Sequence, residues 1–485
     1  MNKKLNSLID RGVVTLDRIK VDSREVNPGD VFVAVRGTKI DGHNYVQEAL
    51  GKGAAYVVCE ESRSGSYTDL DGRIIFTVDT MGLLGGMLSR LDDGLFDKLS
   101  LYGVTGTNGK TTTAFMIKNI LKASDVNSGL LSTVFINTDG EEYIKAKMTT
   151  PDILSVYRYL SMMKENGKDA AVIEVSSHAL NQKRISGVKF DSAVFTNITP
   201  EHLDYHKNME AYLEDKLNVF QYLKPSGISV VNIDDVVLEE VFEKRALQNP
   251  ITFSMDKDAE ITASVIDVCS TGTRLKIKIK GQFEIDDVFL KLPGKHNIYN
   301  VLAAIAALSR RGLTAENIRN GIESFKSVPG RLDQVETNAD FKIFVDYAHT
   351  PNALENILRS TRTFCAGNLI CVFGCGGDRD KSKRPEMGRI AEELSDYVIL
   401  TNDNSRTEDP VDIINQIEKG IRGNNNYCII ADRYKAILEA VKKAKAKDVV
   451  LIAGKGHEDY QIIGKEIFSF NDKIAAGKAL SEIGL

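Results

Sequence analysis

At 485 residues the chain is too long for one ordinary core, and 42% hydrophobic with 27% charged residues is the composition of a folded multidomain protein. A net charge of −5 leaves no basic surface of the kind that binds nucleic acid in general. No apolar run approaches the ~20 residues that span a bilayer, and Met1–Ser7 lacks a signal-peptide core, so a cytoplasmic protein without membrane insertion is expected.

Residues 1 to about 97 hold short apolar strands, Val31-Phe32-Val33-Ala34-Val35 and Ala55-Tyr56-Val57-Val58. Next comes the apolar run Leu99-Ser100-Leu101-Tyr102, then Gly103-Val104-Thr105-Gly106-Thr107-Asn108-Gly109-Lys110-Thr111-Thr112-Thr113, then a helical stretch from Ala114 to Leu121. Strand, glycine loop, Lys-Thr and helix make a cradle for nucleotide phosphates. Glycines let backbone N–H groups approach phosphate oxygens, and the helix N-terminus adds partial positive charge. Lys110 is placed to reach the β/γ-phosphates and Thr111 to ligate Mg²⁺. Val104 stands where the strict Walker pattern has its first glycine. ATP or a relative, with Mg²⁺, is the expected partner of this loop.

Further buried-strand candidates are Ala170–Val175, Ser192–Phe195 and Ile228–Val231, separated by helical patterns, so a parallel α/β sheet is expected. Glu174, at the end of such a strand, is placed to hold Mg²⁺ directly or through water. Ser176-Ser177-His178 follows at once, in the turn where α/β ligand sites form. Asn197-Ile198-Thr199-Pro200-Glu201-His202-Leu203-Asp204-Tyr205-His206 also follows a strand, and His202 is a candidate for a second cation site. Leu275-Lys276-Ile277-Lys278-Ile279 alternates with period two, as an antiparallel strand with one wet face does.

A third block starts near Arg331, with strands Lys342–Val345, Leu369–Phe373, Tyr397–Leu400 and Val449–Ile452 and a helix over Tyr434–Lys445. Gly374-Cys375-Gly376-Gly377-Asp378-Arg379-Asp380 follows one of these strands, and Lys381, Lys383 and Arg384 after it suggest an anion site. Asp403-Asn404-Ser405-Arg406 and Gly454-Lys455-Gly456-His457-Glu458 follow two others. A pocket with Arg and Glu together suits a zwitterionic amino acid, because Arg grips a carboxylate in bidentate fashion. The seven histidines fall in polar segments near strand ends. The six cysteines form no CxxC pair and read as reduced thiols, with Cys371 and Cys375 buried rather than metal-binding.

Over nearly the whole chain these motifs resemble the Mur ligases, the ATP-dependent amide ligases of peptidoglycan synthesis. Gly106-Thr107-Asn108-Gly109-Lys110-Thr111-Thr112 looks like their ATP site. Their His-Asn-x-x-Asn segment matches His296-Asn297-Ile298-Tyr299-Asn300, their arginine before the C-terminal domain matches Arg331, and Asp346 matches as well. The resemblance implies that Asn297, Asn300, Arg331 and Asp346 help bind the nucleotide. It is strongest to the members that add the third peptide residue. On that likeness Ser23, Thr149, Thr150, Ser176, Gln182 and Arg184 would bind the UDP-precursor. Lys216 would be carbamylated and, with Thr111, Glu174 and His202, serve Mg²⁺. Arg379, Asp403, Asn404, Ser405, Arg406, Gly454 and Glu458 would hold the incoming amino acid. Ser405 stands where diaminopimelate-adding members usually carry proline.

The implied architecture is α/β with three domains: a UDP-binding domain at 1–97, a central P-loop-type ATPase domain at 98–330 and a Rossmann-like C-terminal domain at 331–485. The implied reaction joins UDP-MurNAc-L-Ala-D-Glu to meso-diaminopimelate, by a monomer in the cytoplasm. Alternatives are an L-lysine-adding ligase, another ligase of the family, or a nucleotide-gated binding protein. A regulatory GTPase is disfavoured, since the chain has no Asn-Lys-x-Asp guanine motif.

Overall fold

The computed structural model describes residues 3–37, 40–67, 72–92, 94–140, 143–146, 148–269, 272–423 and 426–485. Met1 and Asn2, which open the stretch read as lacking a signal core, lie outside them. The chain divides into two compact units, Met1–Lys110 with Ser124–Thr252 and Ala306–Arg311, and Thr111–Ala123 with Phe253–Ile305 and Gly312–Leu485.

In the first unit, β1 (Ile19–Lys20), β2 (Val31–Val33), β3 (Tyr56–Glu60) and β4 (Ile74–Thr77) form a parallel sheet in chain order. A larger sheet follows from β5 (Ser100–Thr105), β6 (Ser128–Leu131), β7 (Phe135–Asn137), β8 (Ile144–Lys145), β9 (Ala170–Glu174), β10 (Phe190–Phe195) and β11 (Leu223–Asn232). Their order is β11-β10-β5-β9-β6-β7-β8, with β7 and β8 antiparallel at the edge. All five residues of β9 are buried, as an apolar run in a parallel sheet must be. The chain leaves β5 for β6 on one side and later reaches β10 on the other. The loop after β5 therefore opens where strand order reverses, the place where α/β sheets bind ligands.

In the second unit, β12 (Ile251–Ser254) pairs in parallel with β13 (Ile261–Cys269), which continues as an antiparallel meander through β14 (Gly272–Ile279) and β15 (Phe283–Leu290). Leu275, Ile277 and Ile279 are buried while Arg274 and Lys278 face water, as their alternation requires. A six-stranded sheet is built from β16 (Asp333–Val335), β17 (Lys342–Asp346), β18 (Leu369–Phe373), β19 (Tyr397–Leu400), β20 (Tyr427–Ile429) and β21 (Val449–Ala453). Its order is β16-β17-β21-β18-β19-β20, parallel except for β16. β22 (Tyr460–Ile463) and β23 (Glu466–Ser469) form a separate hairpin. The expected helix near Tyr434 runs Arg433–Lys443. Burial pushes the thiols of Cys371 and Cys375 up to about 12. Among the described residues no helix is long and apolar enough to cross a membrane.

Candidate active site

The loop after β5 is braced by the loop after β10. Asn108 N–H donates to Asn197 Oδ1 at 2.9 Å, and Thr196 Oγ1 and Asn197 Nδ2 both donate to Asn108 O, at 2.6 and 3.0 Å. Gly106 takes φ +145° and Gly109 φ +84°. A Cβ on Gly106 would collide with Thr196 Oγ1. Gly106→Ala is therefore expected to push the loop off its brace and raise KM for ATP about tenfold or more, the scale of an overpacked site. Steady-state kinetics in ATP would show it, and wild-type KM in the variant would contradict it. The helix Lys110–Lys122 starts directly from this loop. Lys110 Nζ folds back to donate to Gly106 O at 2.8 Å and Thr107 O at 2.7 Å.

Lys216 lies on the helix Met209–Leu217 and is only 1% exposed. Its Nζ donates to Gly106 O at 2.6 Å, so two lysines converge on one carbonyl. Burial, with Lys110 adding repulsion, lowers the Lys216 pKa well below the usual lysine value. Glu201 opposes that shift. His202 is in left-handed backbone, φ +55°, and its ring packs edge-on against His178 with centroids 4.8 Å apart. Glu174 is fully buried and accepts from Thr133 N–H and Thr133 Oγ1, both at 3.1 Å. Among the described residues no three His, Cys, Asp or Glu side chains converge as a ready cation cage.

Five of the six residues expected to bind the UDP-precursor are gathered in one network. Thr133 Oγ1 lies 3.1 Å from Thr149 Oγ1. Thr150 Oγ1 donates to Glu174 O at 2.8 Å and receives Ser176 N–H at 3.0 Å. Arg184 Nη1 donates to Thr150 O at 2.9 Å, and its Nε and Nη2 grip Gln182 Oε1 at 3.0 and 2.7 Å. The sixth, Ser23, is engaged elsewhere: its Oγ donates to Glu48 Oε1 at 3.2 Å and its carbonyl accepts from Lys52 Nζ at 2.9 Å.

In the second unit, Asn300 Nδ2 donates to Asn297 Oδ1 at 3.2 Å, and Thr113 Oγ1 donates to Asn300 Oδ1 at 3.3 Å. The His-Asn-x-x-Asn segment thus meets the helix that carries Thr111 and Thr112. The Arg331 guanidinium sits 4.7 Å over the Tyr347 ring. Asp346 accepts from Leu332 N–H at 2.7 Å and Ala348 N–H at 2.8 Å. Burial raises its pKa, against the pull of Arg331.

The loops after β18, β19 and β21 also meet. Asn404 Nδ2 and the fully buried Lys455 Nζ both donate to Glu458 Oε2 at 2.8 Å. Arg406, in left-handed backbone with φ +51°, donates from Nη1 to Gly377 O at 2.8 Å. A Cβ on Gly376 would stand 3.0 Å from Arg406 Nη1 and 3.9 Å from Arg379 Cγ, so both arginines border that glycine. Ser405 is fully buried, and among the described residues its Oγ has no hydrogen-bond partner. Asp403 Oδ2 lies against Gly454, where a Cβ would come within 2.8 Å.

The family model of the Mur ligase middle domain matches residues 104–308, that of the Mur ligase glutamate ligase domain residues 330–456, and that of the Mur ligase family catalytic domain residues 15–75. The chain belongs to the Mur ligase family. It is 40% identical to the UDP-N-acetylmuramoyl-L-alanyl-D-glutamate–2,6-diaminopimelate ligase of Clostridium botulinum over 479 residues, 98% of each chain. It is also 40% identical to the ligase of that name from Bacillus cereus, over 96% of this chain and 94% of the relative. A solved structure of a ligase of the same name superposes with a TM-score of 0.68 at 29% identity, covering 96% and 94% of the two chains. The fold is shared with the MurF ligase of Thermotoga maritima in complex with ADP, TM-score 0.60 at 20% identity, covering 100% and 98%. Like other Mur ligases, the chain is an ATP-dependent, Mg²⁺-requiring ligase.

Two features of this Mur ligase depart from the sequence reading. The basic run after Gly377 is partly tied into the fold, although Lys381 stays exposed. Buried Arg384 pairs with Glu408 at 2.9 Å, Lys381 joins the same carboxylate at 3.1 Å, and Lys383 donates to His349 O at 2.8 Å. Arg384 holds the Glu408 carboxyl down at about 2. The second departure is a set of supports given no role in the sequence reading: Thr133 under Glu174, Tyr212 beside Thr107 at 3.2 Å, Lys455 of the Gly454–Glu458 loop beside Glu458, and Arg433. Arg433, 2% exposed, is clamped by Asp472 at 2.7 Å and donates to Asn402 O and Ala453 O at 3.2 and 3.0 Å, bracing the ends of β19 and β21. Its one local sign is a basic residue directly after the N-cap Asp432.

Proposed function

We propose that the chain joins the D-glutamyl γ-carboxylate of UDP-MurNAc-L-Ala-D-Glu to an amino group of meso-diaminopimelate, in cytoplasmic peptidoglycan precursor synthesis. The observation that carries this reading is the grouping of Arg406 and Arg379 beside Gly376 with Asn404 and Glu458 close by, two cations and a carboxylate suited to a diamino dicarboxylic acid. The names of the Clostridium botulinum and Bacillus cereus relatives support it. The functional division is 1–97 for the UDP-precursor, 98–330 for ATP and 331–485 for the amino acid, in keeping with the three separate family matches.

A carboxylate oxygen of the precursor attacks the γ-phosphorus of ATP, the bond to ADP breaks, and an acyl phosphate forms. The amine attacks its carbonyl carbon, a tetrahedral intermediate follows, and the C–O bond to phosphate breaks as the nitrogen loses its proton. The obstacle in the first step is bringing two anions together. Gly106 and Gly109 offer N–H groups to the phosphates, Thr107 and Asn108 hold the loop's shape through their N–H bonds to Asn197, Lys110 leaves the carbonyls it now caps to bind the phosphates, and Thr111 and Thr112 continue the cradle. Asn297, Asn300, Arg331 and Asp346 contact the rest of the nucleotide. Thr149, Thr150, Ser176, Gln182 and Arg184 orient the dipeptide end of the precursor, with Ser23 on its uridine side. Thr111, Glu174, His202 and carbamylated Lys216 would hold Mg²⁺, which would supply positive charge to the phosphates.

Carbamylation of Lys216 is supported by its burial and lowered pKa. The neutral amine adds to CO₂ and a proton leaves, so a carbamate anion stands beside the Lys110 ammonium, which attracts it where it would repel a protonated Lys216. Lys216→Ala is expected to lose about ten- to a hundredfold in activity and to recover part of it with added acetate or formate. A metal-loaded, active enzyme with an unmodified Lys216 would contradict the assignment. The whole reading is tested by release of ADP and phosphate only when UDP-MurNAc-L-Ala-D-Glu and the diamino acid are both supplied. Release without an amine acceptor would instead favour a nucleotide-gated binding protein.

A further inference from the structure

His206 and Asp215 are absorbed by no step above, yet they join an extended side-chain network in the first unit. His206 is buried, with Nδ1 2.8 Å from Asp215 Oδ2 and Nε2 3.0 Å from Ser177 Oγ. The order Ser–His–Asp resembles a nucleophilic triad, but Ser177 is 2% exposed and no substrate reaches it. The chain has a second branch. Asn181 Nδ2 donates to both Asp215 oxygens at 3.1 Å, Tyr205 OH donates to Asn181 Oδ1 at 2.8 Å, and Gln182 Nε2 donates to Tyr205 OH at 3.0 Å. Gln182 Oε1 then receives Arg184, which holds Thr150 O. Ser176, next to Ser177, gives its N–H to Thr150 Oγ1. Both branches leave Asp215 and end on the same cluster.

We propose that Asp215 is a positioning residue that couples the helix bearing Lys216 to the side chains that grip the muramoyl-dipeptide nucleotide. This rests on the reading of Gln182, Arg184, Thr150 and Ser176 given above. The physical basis is polarity. An ionised carboxylate only accepts, so Asp215 dictates the direction of every later bond: Asn181 must point its amide N–H₂ at Asp215 and its oxygen at Tyr205. Tyr205 then donates to Asn181 and keeps its lone pair for Gln182, which frees Gln182 Oε1 for Arg184. An amide at 215 offers an N–H₂ to Asn181, which flips, and Tyr205 is left facing two donors. Such a network is set cooperatively.

The test is kinetics of the full chain with Asp215→Asn, Asn181→Ala and the double variant. Asp215→Asn is expected to raise KM for UDP-MurNAc-L-Ala-D-Glu about fivefold or more, the scale of one lost hydrogen bond to a charged group. The kcat and the KM for ATP should stay within about twofold, because the lost interaction serves binding of one substrate. Asn181→Ala should give a similar rise, and the double variant no more than the larger single effect, since both cut one chain. Unchanged KM in the variants of an active enzyme, a fall in melting temperature alone, or additive effects would overturn the coupling while leaving the substrate reading intact. A wild-type enzyme that does not use the nucleotide at all would overturn both.

Discussion

Lys110→Ala should lower kcat for ADP release by about 10²- to 10³-fold, the range seen when one donor aimed at developing charge is removed. In the structure the Lys110 ammonium is spent on two loop carbonyls, Gly106 O and Thr107 O. Those oxygens are what a bound phosphate would displace. Removing the ammonium takes a positive charge from the point where the γ-phosphoryl meets the glutamyl carboxylate. It leaves the loop braced, because the bonds from Thr196 and Asn197 do not involve Lys110. The melting temperature should therefore change little. A folded variant with near-normal turnover would remove the ATP-site assignment.

Arg406→Ala should cost about 10²- to 10³-fold in kcat/KM for meso-diaminopimelate, the scale of stranding one member of a buried charge pair, and far less for L-lysine. The two amino acids differ by one carboxylate at the far end, and an unpaired carboxylate in this pocket would be costly. Proline before the arginine would stiffen the loop through the backbone. Here Ser405 does not, and the stiffness comes from packing. Arg406 N–H donates to Ile462 O at 3.2 Å, Ile462 N–H donates to Asn404 Oδ1 at 2.9 Å, and Gly377 sits so close to Ser405 O that no side chain fits there. The guanidinium is thus held by the β22–β23 hairpin and a glycine. Preference for meso-diaminopimelate should survive the missing proline. Competition between the two amino acids in wild type and variant decides it, and equal or better use of L-lysine by the wild type would sink the assignment without touching the ligase chemistry.

How much of this was legible in the sequence follows from where each signal resides. Parallel strands buried on both faces must be continuous apolar runs, so β9, β10, β18, β19 and β21 could be read directly. The loops at their C-terminal ends could be read as binding loops for the same reason. Lys216 could not be placed by chemistry alone, because Leu213-Glu214-Asp215-Lys216-Leu217 looks like any wet helix face. Only the tertiary packing against Gly106 O makes its amine dry. Arg433 and Lys455 were opaque for the same reason, since a buried cation is defined by partners distant in sequence. At the basic run 381–384 the sequence shows charge and not pairing. Its partner Glu408 lies 24 residues beyond Arg384, where nothing local announces it.

Arg433 also has a consequence for how the molecule is made. Its anchoring carboxylate, Asp472, lies 39 residues downstream, on the helix Asp472–Glu482. A ribosome delivers the chain from the N-terminus, so the strands β19 and β21 emerge before the group that neutralises the cation wedged between their ends. Until Asp472 arrives, Arg433 would have Asp403, 3.9 Å away, and Glu458 as counter-charges, without the carboxylate that clamps it. A growing chain therefore cannot finish its amino-acid pocket early. Premature termination before residue 472 would leave a protein with an intact phosphate loop and a pocket that has not set.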